Sequence, residues 1–289
     1  MKIAVIGAGV VGFATGSGFA ATGADVVFID RSQSRREALR RDGWQVVDEE
    51  RLRDFRPDMY LLSVPTATVD DRCDLSAISD ACSTIGEDLR FRDDWSTVVV
   101  RSTVPPGTST NLVLPILEKC SRLSAGRDFG LTMNPEFLRA MTAREDFSDP
   151  RVIVWGALDT ASDSAMRDLY RPWKHVPQIS MTLEEAEATK YAANLFNAAK
   201  ISFFNELHTV FERLGIDSPR AFTAAAQGAE GLWNPVYGTR GGMPFGGECL
   251  PKDLAAFIGF AGERGLATPL LEAVADVNER LCAMSVEQK

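Results

Sequence analysis

Over its first 180 positions the 289-residue chain alternates short apolar runs with longer stretches of mixed polarity. Residues 2–7 form the first run and Asp25-Val26-Val27-Phe28-Ile29-Asp30 the second. Met59 to Val64, Ser96 to Arg101, Phe129 to Met133 and Val152 to Trp155 continue the series. Runs this short and this continuous read as strands buried on both faces. The stretch after the first run is built of small residues to Ala21 and reads as a helix. Strands alternating with helices predict an α/β fold with a Rossmann-type, doubly wound parallel sheet.

The pattern changes near Ser180. Thr182 can cap a helix and Glu185 completes a capping box, so a long helix is expected to about Leu214, with Gly215 as its stop. Ser218-Pro219 starts another helix, and helices continue to the end apart from a glycine-rich loop at 228–247. The expected organisation is a dinucleotide-binding domain over 1–181 and an all-helical domain over 182–289.

Composition narrows the chemistry. A net charge of −9 argues against nucleic acid or an anionic membrane as partner. No apolar run reaches spanning length, and the first strand at Lys2 leaves no room for a signal peptide. Five cysteines without CxxC spacing fit reduced thiols in a cytoplasmic protein. The only histidines, His175 and His208, lie far apart, so neither a metal site nor a Ser-His-Asp hydrolase is expected.

Gly7-Ala8-Gly9-Val10-Val11-Gly12 follows the first strand directly and matches GxGxxG. Its glycines provide a tight turn, close approach to a pyrophosphate, and helix–strand packing. Asp30 ends the second strand at the spacing of the ribose-binding carboxylate, which favours NAD, while the adjacent Arg31 keeps NADP open. Ser63-Val64-Pro65-Thr66 and Ser102-Thr103-Val104-Pro105 each follow a strand and are expected to line the cofactor crevice. Asn134-Pro135-Glu136-Phe137-Leu138-Arg139 follows another strand. Glu136 is a candidate general base and Arg139 a candidate anion holder.

Lys190 and Asn194, four apart, share one face of the long helix and could stabilise an alkoxide; taken alone, the pair also fits a solvated face. Lys200, Asn205 and Glu206 read as surface or interface residues. The strongest local signal is Phe245-Gly246-Gly247-Glu248-Cys249-Leu250-Pro251-Lys252-Asp253. Cys249 there is a candidate nucleophile, with Lys252 or the nicotinamide charge favouring its thiolate. The other four cysteines read as structural.

Taken in order, GAGVVG, SVPT, STVPPGT, NPEFLR, EAEATKYAANLFNAAKISFFNE and FGGECLPKD resemble the UDP-glucose/GDP-mannose dehydrogenase family over nearly the whole chain. The resemblance implies NAD-dependent four-electron oxidation of a nucleotide-sugar primary alcohol to a carboxylate. It implies that Lys190 and Asn194 stabilise the oxyanion, Thr103 and Asp253 hold a water for proton transfer, Cys249 traps the aldehyde as a thiohemiacetal, and Glu136 assists thioester hydrolysis. Val10, Val11, Val64, Pro65, Thr66, Ser102 and Lys252 would join the glycines at NAD. Phe137, Leu138, Arg139, Arg240, Phe245 and Gly246 would join Lys190 and Asn194 at the substrate, and the helix from Thr182 would form a homodimer core.

Three departures stand out. Family members usually carry a third, nucleotide-binding domain, whereas this chain ends at Lys289. NPEFLR is followed by Ala140-Met141 where the family has Glu-Gly, and Arg240 stands where an Arg-Ile-Gly motif is expected. A smaller nucleotide, nucleoside or sugar-phosphate substrate is therefore expected alongside a nucleotide sugar. The alternatives are a two-electron alcohol dehydrogenase and a non-catalytic NAD-binding protein.

Overall fold

The computed structural model describes residues 1–287. Among the described residues nine strands form: β1 (Lys2–Ile6), β2 (Asp25–Ile29), β3 (Met59–Leu62), β4 (Thr68–Val69), β5 (Arg72–Cys73), β6 (Thr97–Val100), β7 (Gly130–Met133), β8 (Ile153–Ala157) and β9 (Gln178–Met181). The helices of the first part are α1 (Val10–Ala21), α2 (Gln33–Arg41), α3 (Glu49–Phe55), α4 (Ser76–Leu89), α5 (Leu114–Ser121), α6 (Ala143–Ser148) and α7 (Thr160–Leu169). Then come α8 (Leu183–Arg213), α9 (Ser218–Gly228), α10 (Glu230–Trp233), α11 (Leu250–Gly262) and α12 (Pro269–Glu287).

Seven strands make one sheet in the order β2-β1-β3-β6-β7-β8-β9, with β4 and β5 a separate hairpin. The first five are parallel. Alternate residues of each strand enter one of two cores. Ala4, Val27, Tyr60 and Val98 pack on one face with Ile78 and Ile85 of α4 and Leu117 of α5. Ile3, Val5, Phe28 and Leu61 pack on the other with Phe19, Phe147 and Trp173. Burial on both faces is why the runs lack polar alternation.

The sheet departs from an all-parallel one at its far edge. β8 pairs antiparallel with β7, and β9, which the apolar pattern did not single out, pairs parallel with β8. Between β6 and β7 the chain also buries a cation. Arg101 is 3% exposed, and its guanidinium donates to Asn134 Oδ1 and to the Tyr170 hydroxyl (3.0 Å). Tyr170 in turn donates to Asn134 at 2.6 Å, and burial pushes its own ionisation upward. The Nε of Arg101 has no partner.

The Thr182 capping box forms: Glu185 accepts from the Thr182 backbone at 2.8 Å, and Thr182 Oγ1 accepts from the Glu185 N–H at 3.3 Å. Hydrogen bonds from the Thr182 backbone N–H and hydroxyl hold the Glu185 carboxyl below its ordinary range. The chain divides into two compact units, 1–193 and 194–289, so α8 contributes to both. The reason is burial: Leu183, Ala186, Glu187 and Lys190 all lie in the interior of the first unit. In the second unit Gly215, at φ +69°, lies just beyond α8, and Val210 and Ala261 are buried.

Candidate active site

Strand order reverses between β1 and β3, and their carboxyl ends carry the two loops that form the crevice. Gly7 sits at φ +88°, and a Cβ there would approach the Ser63 carbonyl oxygen to 2.5 Å. A Cβ on Gly12 would collide with the Gly7 carbonyl. These two glycines lock the turn onto α1 and onto the loop after β3. Gly9 differs: a Cβ there would meet nothing within 4 Å. Packing does not require that glycine, and the open space beside it at the start of α1 has room for a pyrophosphate. Val10, the first residue of the helix, is exposed beside it.

Asp30 lies immediately after β2 and accepts from the Ala8 and Ser32 N–H groups, both at 2.8 Å. The Asp30 carboxylate is thus tied to the glycine turn itself. Arg35, not singled out from the sequence, donates to the Ala8 carbonyl at 2.7 Å and stacks over Phe13. Arg31 is paired with Asp80 at 2.9 Å. The open cradle and the Asp30 carboxylate fit NAD.

The loops after β3 and β6 are bonded to each other. Ser102 Oγ donates to the Val64 carbonyl and Thr66 Oγ1 to the Thr103 carbonyl, each at 2.7 Å. Pro65 lies between Val64 and Thr66. A π-helical turn, Ser109–Val113, leads from the second loop into α5.

The loop after β7 meets α8. Lys190 is buried, not solvated, and its Nζ reaches Glu136 Oε1 at 2.8 Å and the Glu136 carbonyl at 2.6 Å. Glu136 Oε2 accepts from the Leu138 N–H at 2.6 Å, and Lys190 lies over the Phe137 ring at 5.8 Å. The carboxylate and the ammonium, both withdrawn from water, face each other as an ion pair. Arg139 is spent elsewhere: its guanidinium and backbone hold Asp146, the ion pair closing to 2.6 Å. That contact depresses the Asp146 carboxyl well below the carboxylate range.

In the second unit Asn194 is exposed, and so is Arg240, in the loop beyond α10. Cys249 is exposed and is the N-cap of α11, where the helix dipole favours negative charge. Lys252 and Asp253 pair with each other on the first turn. Phe245 is held by Asn278 of α12, whose side chain accepts its N–H at 2.8 Å and donates to its carbonyl at 3.1 Å. Gly246 is exposed and Gly247 takes φ +81°. Glu206, expected at a surface or interface, instead accepts the Leu270 and Leu271 N–H groups at 2.7 and 3.1 Å, capping α12. Among the described residues no cluster of His, Cys, Asp and Glu could hold a metal, and no helix is long and apolar enough to cross a membrane.

A doubly wound sheet with this turn defines a dinucleotide-binding protein. Residues 53–174 match the NAD binding domain, and residues 184–280 the central domain, of the UDP-glucose/GDP-mannose dehydrogenase family. The chain belongs to that family of NAD-dependent dehydrogenases. Residues 3–78 also match ketopantoate reductase PanE/ApbA. GDP-mannose 6-dehydrogenase of Pseudomonas syringae pv. tomato is 35% identical over 295 residues, covering 95% of this chain and 67% of the relative. UDP-glucose 6-dehydrogenase AglM of Haloferax volcanii is 33% identical, covering 96% and 70%. The crystal structure of a ternary complex of GDP-mannose dehydrogenase from Pseudomonas aeruginosa has a TM-score of 0.90 at 32% identity, over 97% of this chain and 69% of that one. The chain thus spans about two thirds of the length of these relatives.

Proposed function

We propose that the protein oxidises the primary alcohol of a nucleotide-linked sugar to the carboxylate, with two NAD per substrate and Cys249 as covalent nucleophile. The observation that carries this reading is the placement of Cys249, exposed at the N-terminus of a 13-residue helix. Removing a single hydride from an alcohol needs no thiol, whereas reaching the acid is helped by a covalent adduct that can lose a second. The buried Lys190–Glu136 pair and the names of the relatives support the same reading.

In this mechanism Lys190 and Asn194 stabilise the alkoxide, and a water held by Thr103 and Asp253 takes the hydroxyl proton. NAD supplies the hydride acceptor for each oxidation. Between them Cys249 Sγ, as thiolate, bonds to the aldehyde carbon and forms a thiohemiacetal. Lys190 and Asn194 stabilise its oxyanion as well, and loss of the second hydride leaves a thioester. Glu136 takes a proton from the attacking water, the C–S bond breaks, and the thiolate is regenerated. The balance is RCH2OH + 2 NAD⁺ + H2O → RCOO⁻ + 2 NADH + 3 H⁺. Each oxyanion donor contributes roughly 3–4 kcal/mol to such a transition state.

The substrate loop carries Met141, 94% exposed, and an Arg139 already engaged by Asp146, so the screen extends beyond UDP-glucose and GDP-mannose to nucleoside monophosphates and sugar phosphates. Two NADH and an acid per substrate are expected; one NADH with released aldehyde overturns the reading. A homodimer through α8 is part of the proposal, supported by Leu195, Phe196 and Ile201, each more than half exposed on that helix. Sedimentation at a monomer's mass would sink that part. Five free thiols support a reducing, cytoplasmic setting.

A further inference from the structure

We infer that Glu187 is a positioning residue for the oxidation: it fixes the loop bearing Ser102 and Thr103 to the turn of α8 that bears Lys190. The inference rests on the function proposed above. Glu187 is 0% exposed and makes no ion pair among the described residues. One carboxylate oxygen accepts the Gly107 N–H at 2.5 Å and the other the Ser109 N–H at 2.7 Å. A fully buried carboxylate without a counter-ion is costly and persists only where fixed donors replace its water. These donors lie just before and at the start of the π-helical turn Ser109–Val113, where the first N–H groups have no partner within the turn.

Three residues further on, on the same helix face, Lys190 holds Glu136. One short stretch of α8 therefore anchors the loop after β6 through Glu187 and the loop after β7 through Lys190. Thr103 is fixed from its other side by Thr66, whose hydroxyl donates to the Thr103 carbonyl. Glu187 closes the remaining freedom of that loop. Glu184 of the same row is exposed, only accepts from the half-buried Thr110 hydroxyl, and serves as control.

Glu187→Gln keeps the shape but turns an amide NH2 towards one of the two N–H groups. We expect kcat to fall by roughly tenfold or more, because small misplacements of reacting groups are amplified in rate. The primary deuterium isotope effect, measured with substrate deuterated at the carbinol carbon, should rise as hydride transfer becomes limiting. KM for NAD should stay within about threefold, since the glycine turn is untouched. Glu184→Gln should match the wild type. Unchanged kcat and isotope effect in folded Glu187→Gln overturn the inference, as does a rate loss explained by the unfolded fraction alone. Glu187→Asp, which keeps the charge and withdraws both oxygens by one methylene, is read in the same way where the glutamine variant does not fold. Hydrogen exchange at the Gly107 and Ser109 amides requires no turnover: it should quicken by about tenfold or more in Glu187→Gln, and unchanged exchange also overturns the inference. Wild-type protein that forms no NADH from any substrate overturns the proposed function instead.

Discussion

Lys190 holds both oxygens it can reach on one residue, the carboxylate and the backbone carbonyl of Glu136. Lys190→Met would leave that carboxylate buried and alone. We expect a stability loss of about 3–5 kcal/mol by urea unfolding and a fall in kcat of about 10²–10³. Glu136→Gln should spare the first NADH burst and slow acid release, as single-turnover kinetics will show. Equal slowing of both phases would remove Glu136 from the hydrolytic step.

The three glycines of the first turn should separate fold from cofactor. Gly9→Ala adds a methyl group to empty space at φ −64°, so the melting temperature should hold or rise slightly while NAD affinity drops. Gly12→Ala meets the Gly7 carbonyl and should destabilise the whole unit. Calorimetric titration with NAD beside a thermal melt distinguishes the two.

Alkylation should sort the thiols. Cys249 and Cys282 are exposed, whereas burial pushes the Cys82 thiol up to about 12. At neutral pH iodoacetamide should modify the first two and spare Cys82, with activity following Cys249 alone. Cys249→Ser should abolish acid formation. Full turnover by the serine variant would point to a two-electron enzyme.

Acid should loosen the loop after β7. The Arg139 hydrogen bonds depress the Asp146 carboxyl in the fold relative to its unfolded value of about 3.9. The resulting stability is full above that value and is lost as pH falls through the lower, folded one. The urea midpoints of wild type and Asp146→Asn should therefore differ at pH 7, begin to approach each other only below about pH 4, and meet once the folded carboxyl is itself protonated. A constant gap would show that the contact acts without its charge.

Six of the seven strands of the sheet, the glycine turn and the capping box at Thr182 were legible because each leaves a local mark: a continuous apolar run, a fixed spacing, a reciprocal pair. The reversal at β8 was not, since pairing direction is set by how the chain returns and not by its polarity. Glu187, Asn278 and Asp146 also escaped. Each acts on backbone or side chains brought near by folding: 78 to 80 positions away for Glu187 and 33 for Asn278. Glu187 stands among alanines three residues before Lys190, a spacing that marks a shared face, but in sequence it reads as one more helix charge. The solvated reading of Lys190 failed for the same reason, because its partner comes from another strand's loop.

The caged guanidinium of Arg101 carries one more implication. It sits directly before Ser102 and Thr103, surrounded by neutral acceptors. Little water surrounds it to screen it, so its potential extends into the ends of β6 and β7. A strongly acidic molecule thus keeps a permanent positive pole beneath the loops that follow β6 and β7. Any negative charge arising there is met by a field already in place before a ligand arrives.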